Sequence, residues 1–158
     1  MSSAIIKPAA IRKTLMVRAT PEKAFQVFTA GFGDWWPKTH YLGSSPLKTA
    51  VIEPGVGGRW YSLHEDGAEI LWGDVLAWEP PARLLLAWRI TSEWAYDPNL
   101  LTEVEVRFTA IGENQTRVDF EHRGLERFGD SDAADRTRVS MDGGWGMILE
   151  SFQAAANA

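Results

Sequence analysis

The sequence predicts an α+β fold in which a curved antiparallel sheet of about six to seven strands wraps a long C-terminal helix, with one or two short helices after the first strand. Three observations carry this. Met141, Trp145, Ile148 and Phe152 recur at spacings of four, three and four, which is one apolar stripe of an α-helix. From Thr49 onward the chain breaks into short alternating runs punctuated by Gly, Pro and Asp-Gly, the pattern of an antiparallel meander. The last helix is also the only element long enough to cover such a sheet, so a space between the two would be walled by bulky side chains.

Taken in order, residues 1–10 are rich in small residues and include Pro8, a loosely held lead, and residues 11–157 are expected to form one domain. Ile11 to Arg18 alternates and reads as an edge strand. Thr20, Pro21 and Glu22 start a helix with an N-cap hydroxyl, a first-turn proline and an acid, and Gly31 and Gly33 end it. Asp34 to Pro37 is a short helical turn or loop, and Lys38 to Pro46 a connection. Strands follow over Thr49–Glu53, Arg59–Leu63, Glu69–Glu79 and Arg83–Thr91, with turns at Pro54–Gly58, Glu65–Gly67 and Pro80–Pro81. Ser92 to Asn99 is a longer loop bearing Trp94 and Tyr96, placed to lie over a pocket mouth. Leu101–Ala110 and Thr116–Arg123 alternate most clearly. With Gly112 to Asn114 as a three-residue loop and Asn114 left-handed, Arg107 faces Asp119 and Glu103 faces Arg123, which puts the charges outside and His122 inside, beside Val104. The last helix starts at an N-cap of Asp130 or Ser131, with Asp132 and Asp135 in its first turn. Gly143 and Gly144 interrupt its pattern and predict a kink or break, through either close backbone approach or simple tolerance.

Composition excludes several functions. A net charge of −5 with both signs interspersed offers no basic stripe for nucleic acid and no polybasic face for a membrane. The absence of Cys removes disulfide and thiol chemistry, and no signal-peptide pattern opens the chain, so the simplest expected location is cytoplasmic. Eight tryptophans in 158 residues is far above ordinary usage. Several should line something larger than an ordinary core.

The run Val51, Ile52, Glu53, Pro54, Gly57, Gly58, Arg59, Trp60, then Gly73 to Pro81, Arg83, Leu84 and Trp88, resembles the helix-grip (START-like, SRPBCC) superfamily. Within it, the sequence is similar to the branch related to the activator of the heat-shock protein 90 ATPase, and Phe120, Glu121, His122, Gly144 and Trp145 resemble that branch's last strand and helix. The likeness covers about residues 11–156. It implies a cavity between sheet and long helix that in relatives holds apolar small molecules. It implies no one activity, because the superfamily spans carriers, cyclases, hydrolase-like proteins, a self-sacrificing resistance protein and the chaperone activator.

Three functions are in contention. The first is binding of an apolar or aromatic small molecule without cofactor, with Trp35, Trp60, Trp72, Trp88, Val106, Phe108, Phe120, His122, Met141 and Trp145 as the ligand-binding set; the competing reading is that these side chains only fill the gap to the helix. The second is a cofactor-free cyclase or hydrolase using His122 with Glu69 or Asp74, against a histidine merely hydrogen-bonded near the sheet end. The third is a chaperone-associated module displaying Trp35, Trp36 and Trp94 as an exposed patch; a homodimer is compatible with any of the three. Two adjacent tryptophans cannot share one helix face, so one of Trp35 and Trp36 belongs at a rim, unless both cap the interior. Arg59 and Arg89 read either as anchors for an acidic ligand or, preferably, as partners of surface carboxylates. His40, His64 and His122 lack metal-ligand spacing, and Gly55, Gly57 and Gly58 lie between strands instead of before a helix, so neither a metal nor a phosphate site is expected.

Overall fold

The computed structural model describes residues 9–129 and 131–158; most of the lead, and the N-cap candidate Asp130, lie outside the described residues. The first strand, β1 (Ile11–Val17), is followed by α1 (Pro21–Phe28) and the one-turn α2 (Phe32–Trp35). Six strands come next: β2 (Leu47–Ile52), β3 (Arg59–His64), β4 (Glu69–Glu79), β5 (Arg83–Trp88), β6 (Thr102–Gly112) and β7 (Gln115–Arg123). A 3-10 turn at Leu125–Phe128 leads into α3 (Ser131–Asn157). All neighbouring strands are antiparallel in the order β1-β7-β6-β5-β4-β3-β2, so β1 is indeed an edge. The architecture is the helix-grip arrangement the sequence predicts.

Local chemistry explains the elements. Thr20 caps α1, its Oγ1 accepting from the Lys23 amide at 3.2 Å, and the helix buries Ala24, Phe25 and Phe28. In α3 the predicted stripe of Met141, Trp145, Ile148, Leu149 and Phe152 is buried. Across its 27 residues, roughly 40 Å at 1.5 Å per residue, α3 runs through Gly143 and Gly144 without the expected break. A Cβ at either glycine would meet nothing within 4 Å, so no close backbone approach demands them; packing of the stripe on both sides carries the helix through.

The β6–β7 register is as read from the charges, with Arg107 opposite Asp119, Glu103 opposite Arg123, and Val104 opposite His122. The hairpin loop is shorter than expected. Gly112 pairs with Gln115, leaving Glu113 and Asn114 as the turn, and a register shift after Ala110 absorbs the extra residue; Asn114 is left-handed, at φ 52°. On the outer face Glu105, only 12% exposed, bridges Arg83 at 2.5 Å and Arg123 at 3.2 Å. Burial alone would raise its pKa, but hydrogen bonds from Arg83, Arg123 and Arg107 more than offset this and hold the carboxyl below the usual range.

At the other end of the sheet, Trp60 on β3, Gly73 on β4 and Trp88 on β5 form one cross-strand row. A Cβ at Gly73 would lie 1.7 Å from the Ala87 carbonyl oxygen, so only glycine lets the strands approach this closely. Register shifts on both sides of this row, between Trp60 and Tyr61 and between Val75 and Ala77, curl the sheet. The indoles of Trp60, Trp72 and Trp88 are thereby gathered, with centroids 5.4 to 6.5 Å apart.

Candidate functional site: an indole-walled cleft

The interior between sheet and α3 divides in two. Towards α1 it is solid: Phe28 stacks edge-on against Phe152 at 5.1 Å, Trp35 against Phe152 at 5.3 Å, and Phe25 against both Trp78 and Phe108. Along the middle of α3 it opens into a cleft of about 370 Å³. One wall is the sheet, with Trp72, Trp88 and Ile90; the second is α3, with Ser140, Met141, Gly144, Trp145 and Ile148. The segment after α2 closes a third side with Trp36 and Thr39 to Leu42, and Trp94 stands at the rim.

Five of the eight tryptophans therefore border one space. Four of these point their N–H groups elsewhere. Trp36 Nε1 donates to the His40 carbonyl at 2.7 Å, Trp72 Nε1 to Ser62 Oγ at 3.1 Å, Trp88 Nε1 to the Ile90 carbonyl at 3.2 Å, and Trp145 Nε1 to His122 Nδ1 at 3.2 Å. What remains for the cleft is ring surface, while Thr39, His40, Tyr41 and Ser140 are the polar residues on its border. His40 Nδ1 lies 3.0 Å from Thr39 Oγ1. Walls of this composition could hold flat apolar area by contact and orient it with a few polar groups.

The walls are braced from behind. Ser62 Oγ, which accepts from Trp72, donates to His64 Nε2 at 2.8 Å; His64 Nδ1 then donates to the Ser45 carbonyl at 2.8 Å, and the Glu65 amide to the Pro46 carbonyl at 3.0 Å. This chain of bonds ties the sheet wall to the segment carrying Thr39 to Leu42. At the rim, Trp94 has φ 61°, a left-handed conformation rare for a bulky residue, and is 52% exposed.

His122 is sealed. It is fully buried, accepts at Nδ1 from Trp145, and donates from Nε2 to Thr102 Oγ1 at 2.8 Å, whose hydroxyl in turn donates to the Trp88 carbonyl at 2.9 Å. Burial lowers its pKa from 6.5 to about 3. Charging it would also turn its acceptor into a donor facing the Trp145 N–H. The carboxylates considered as its partners are elsewhere: Glu69 pairs with Arg59 and Asp74 with Arg89. Arg59 and Arg89 are thus partners of carboxylates, and neither borders the cleft.

Of the residues singled out from the sequence, Trp72, Trp88, Met141 and Trp145 border the cleft. Trp60 lies behind Trp72 and Trp88, with an Nε1 that is buried and has no partner among the described residues. Phe120 backs Trp145 at 4.6 Å, and Trp35, Val106 and Phe108 belong to the buried core outside the cleft wall. Trp35 and Trp36 are both buried, at 4% and 6% exposure, because α2 ends between them and the extended backbone of Trp36 turns its ring to the cleft. The exposed patch expected of Trp35, Trp36 and Trp94 is therefore absent, and only Trp94 is exposed. Ser140, Gly144, Ile148, Ile90 and residues 39–42 are cleft residues that sequence reasoning missed; Ile148 belongs to the helix stripe, which could have identified it. Among the described residues, no cluster of three or more His, Asp or Glu could hold a metal ion, and no helix is long and apolar enough to cross a membrane.

A seven-stranded sheet gripping a long helix, with a cleft at one end, defines the chain as a helix-grip protein. It belongs to the family described as "Activator of Hsp90 ATPase homolog 1-like protein", which matches residues 18–157. Among solved structures it is similar to the anthrahydroquino-gamma-pyrone synthase Txn09, at 39% identity over 92% of this chain and 96% of that one, with a TM-score of 0.66. It is also similar to CalC, a self-sacrificing resistance protein from Micromonospora echinospora, at 36% identity over 92% of each chain and a TM-score of 0.68. The Aha1 dimer from Colwellia psychrerythraea, 18% identical over 95% of this chain and 97% of that one with a TM-score of 0.65, shares the fold. No curated protein matches the chain in sequence.

Proposed function

We propose that the protein binds an apolar or aromatic small molecule in the cleft between sheet and α3, without a cofactor. The observation that carries this is the set of five indoles around about 370 Å³, four with their N–H groups satisfied away from the space. A ligand hiding about 300 Å² of apolar surface would gain roughly 7 kcal/mol before association entropy is subtracted, enough for micromolar binding with a few good walls. The similarity to Txn09, whose name carries a fused anthrahydroquinone and pyrone, favours flat polycyclic guests over lipid chains. Native mass spectrometry and thermal shift against polyketide, flavonoid and lipid panels test the reading. A ring-bearing hit that quenches tryptophan fluorescence supports it, and a panel with no hit rejects it.

A second reading, a cofactor-free enzyme of the cyclase type, draws on the 39% identity to a protein named as a synthase. Proton transfer would then fall to His40 at the cleft wall, since His122 is sealed from it. His40→Ala should abolish conversion of a linear poly-β-ketone precursor to ring product while leaving affinity for the product within about threefold. Conversion unchanged in His40→Ala would end that reading.

A further inference from the structure

We propose that Gly144 is the residue that sets ligand shape: its missing side chain leaves a slot on α3 that takes the edge of a flat fused-ring aromatic. The inference rests on the cleft being the ligand site. On a helix, the surface neighbours of position 144 are 140, 141, 147 and 148. Three of these, Ser140, Met141 and Ile148, border the cleft together with Gly144 itself and Trp145, while Met147 is exposed. The glycine thus makes a notch in the helix wall between Ser140 and Ile148, and the rings of Trp36, Trp72 and Trp88 border the same space. A flat molecule entering there meets indole on one side and bare helix backbone on the other.

Nothing in the packing of α3 calls for glycine here. A Cβ would meet no atom within 4 Å, so alanine fits, and glycine is the poorest helix former after proline. The empty space that a methyl would occupy is the cleft's own. Gly143, one position earlier, carries the same helix penalty and the same freedom from contact, but is exposed and does not border the cleft. The two neighbours therefore form a matched pair: one substitution changes helix propensity alone, the other changes propensity and slot together.

The test uses the whole protein, with anthracene-2-carboxylate as the flat probe and adamantane-1-carboxylate as the globular one, followed by calorimetric titration and thermal melting. Gly143→Ala and Gly144→Ala should each raise the melting temperature by about 2–4 °C. Gly143→Ala should leave both affinities within about twofold, whereas Gly144→Ala should weaken the flat probe about threefold and Gly144→Leu at least about tenfold, with the globular probe changing less than about twofold. Native affinity for the flat probe in Gly144→Leu, or an equal loss of both probes, overturns the inference and leaves the proposed function standing. If the native protein binds neither probe, the inference falls, and the proposed function is decided by the ligand panels.

Discussion

The two ends of the interior are made of the same material and resolve differently. Around Phe28 and Phe152, aromatic side chains from α1, α2 and α3 meet edge to face and close on one another. Around Trp36 and Trp145, rings with centroids 6.0 Å apart border open volume instead. Trp35 and Trp36 show how little burial alone distinguishes the two: adjacent and almost equally buried, one fills core and the other walls the cleft. What differs is whether partner atoms exist on both sides of the ring. A ring with atoms on one side only has forgone part of its packing energy, and a guest filling the space would recover that loss.

The largest expected effect follows from the solid end. Phe152→Ala removes a fully buried ring in contact with Phe28 and Trp35, and should cost about 3–5 kcal/mol in a denaturant titration. Trp36→Ala, which enlarges a space already open, should cost less, about 1–3 kcal/mol, yet abolish ligand-induced stabilisation. Equal costs would show that the cleft is not built differently from the core.

The seam between the two ends gives the next effect. His122 joins the Trp145 wall to the sheet, and its folded-state pKa of about 3 lies below the ordinary 6.5. Between those values the unfolded chain binds a proton that the folded one does not, so stability present at neutral pH is lost as pH falls below 6.5. The slope is about 1.4 kcal/mol per pH unit, or roughly 2 kcal/mol by pH 5. His122→Gln should flatten this part of the pH profile and lower stability at pH 7, with ligand affinity nearly unchanged. A profile as steep in the variant as in the native protein would assign the acid loss to other groups.

The sheet and the buried helix face were legible in the sequence; which part of the interior is solid and which is open was legible only in part. The Met141–Phe152 stripe and the alternation in Leu101–Arg123 are set by periods of 3.6 and 2, so they announce helix face and strand register directly, including Arg107 against Asp119. The packed or open fate of each tryptophan depends on sheet curl, which comes from the Gly73 row and two register shifts that carry no periodic signal. Hence Trp72, Trp88 and Trp145 were named among residues such as Phe108 and Phe120 that sit in the core outside the cleft. Gly144 read as a flaw in a helix because a missing side chain has no pattern of its own. His40 to Leu42 were passed over because a connecting segment gains its place from His64 and Ser45, contacts that only the folded chain makes.

The rim offers the smallest and sharpest distinction between stability and binding. Trp94 is held left-handed in a loop where Thr91 Oγ1 accepts from the amides of Glu93 and Ala95, and the Trp94 amide donates to the Thr91 carbonyl at 2.9 Å. A left-handed conformation costs a non-glycine residue about 1–2 kcal/mol, and a ring 52% exposed returns little of that through burial. Trp94→Gly should remove the strain, at some cost in unfolded-state entropy, so stability changes by less than about 1 kcal/mol in either direction. Affinity for a flat aromatic should nevertheless fall about threefold, as befits a contact at the edge of a site and not its centre. Trp94→Ala keeps the strained backbone and should lose the same affinity with lower stability than Trp94→Gly. Should both variants bind as the native protein does, the indole at the rim belongs to the loop and not to the cleft, and the ligand is held by the inner four tryptophans alone.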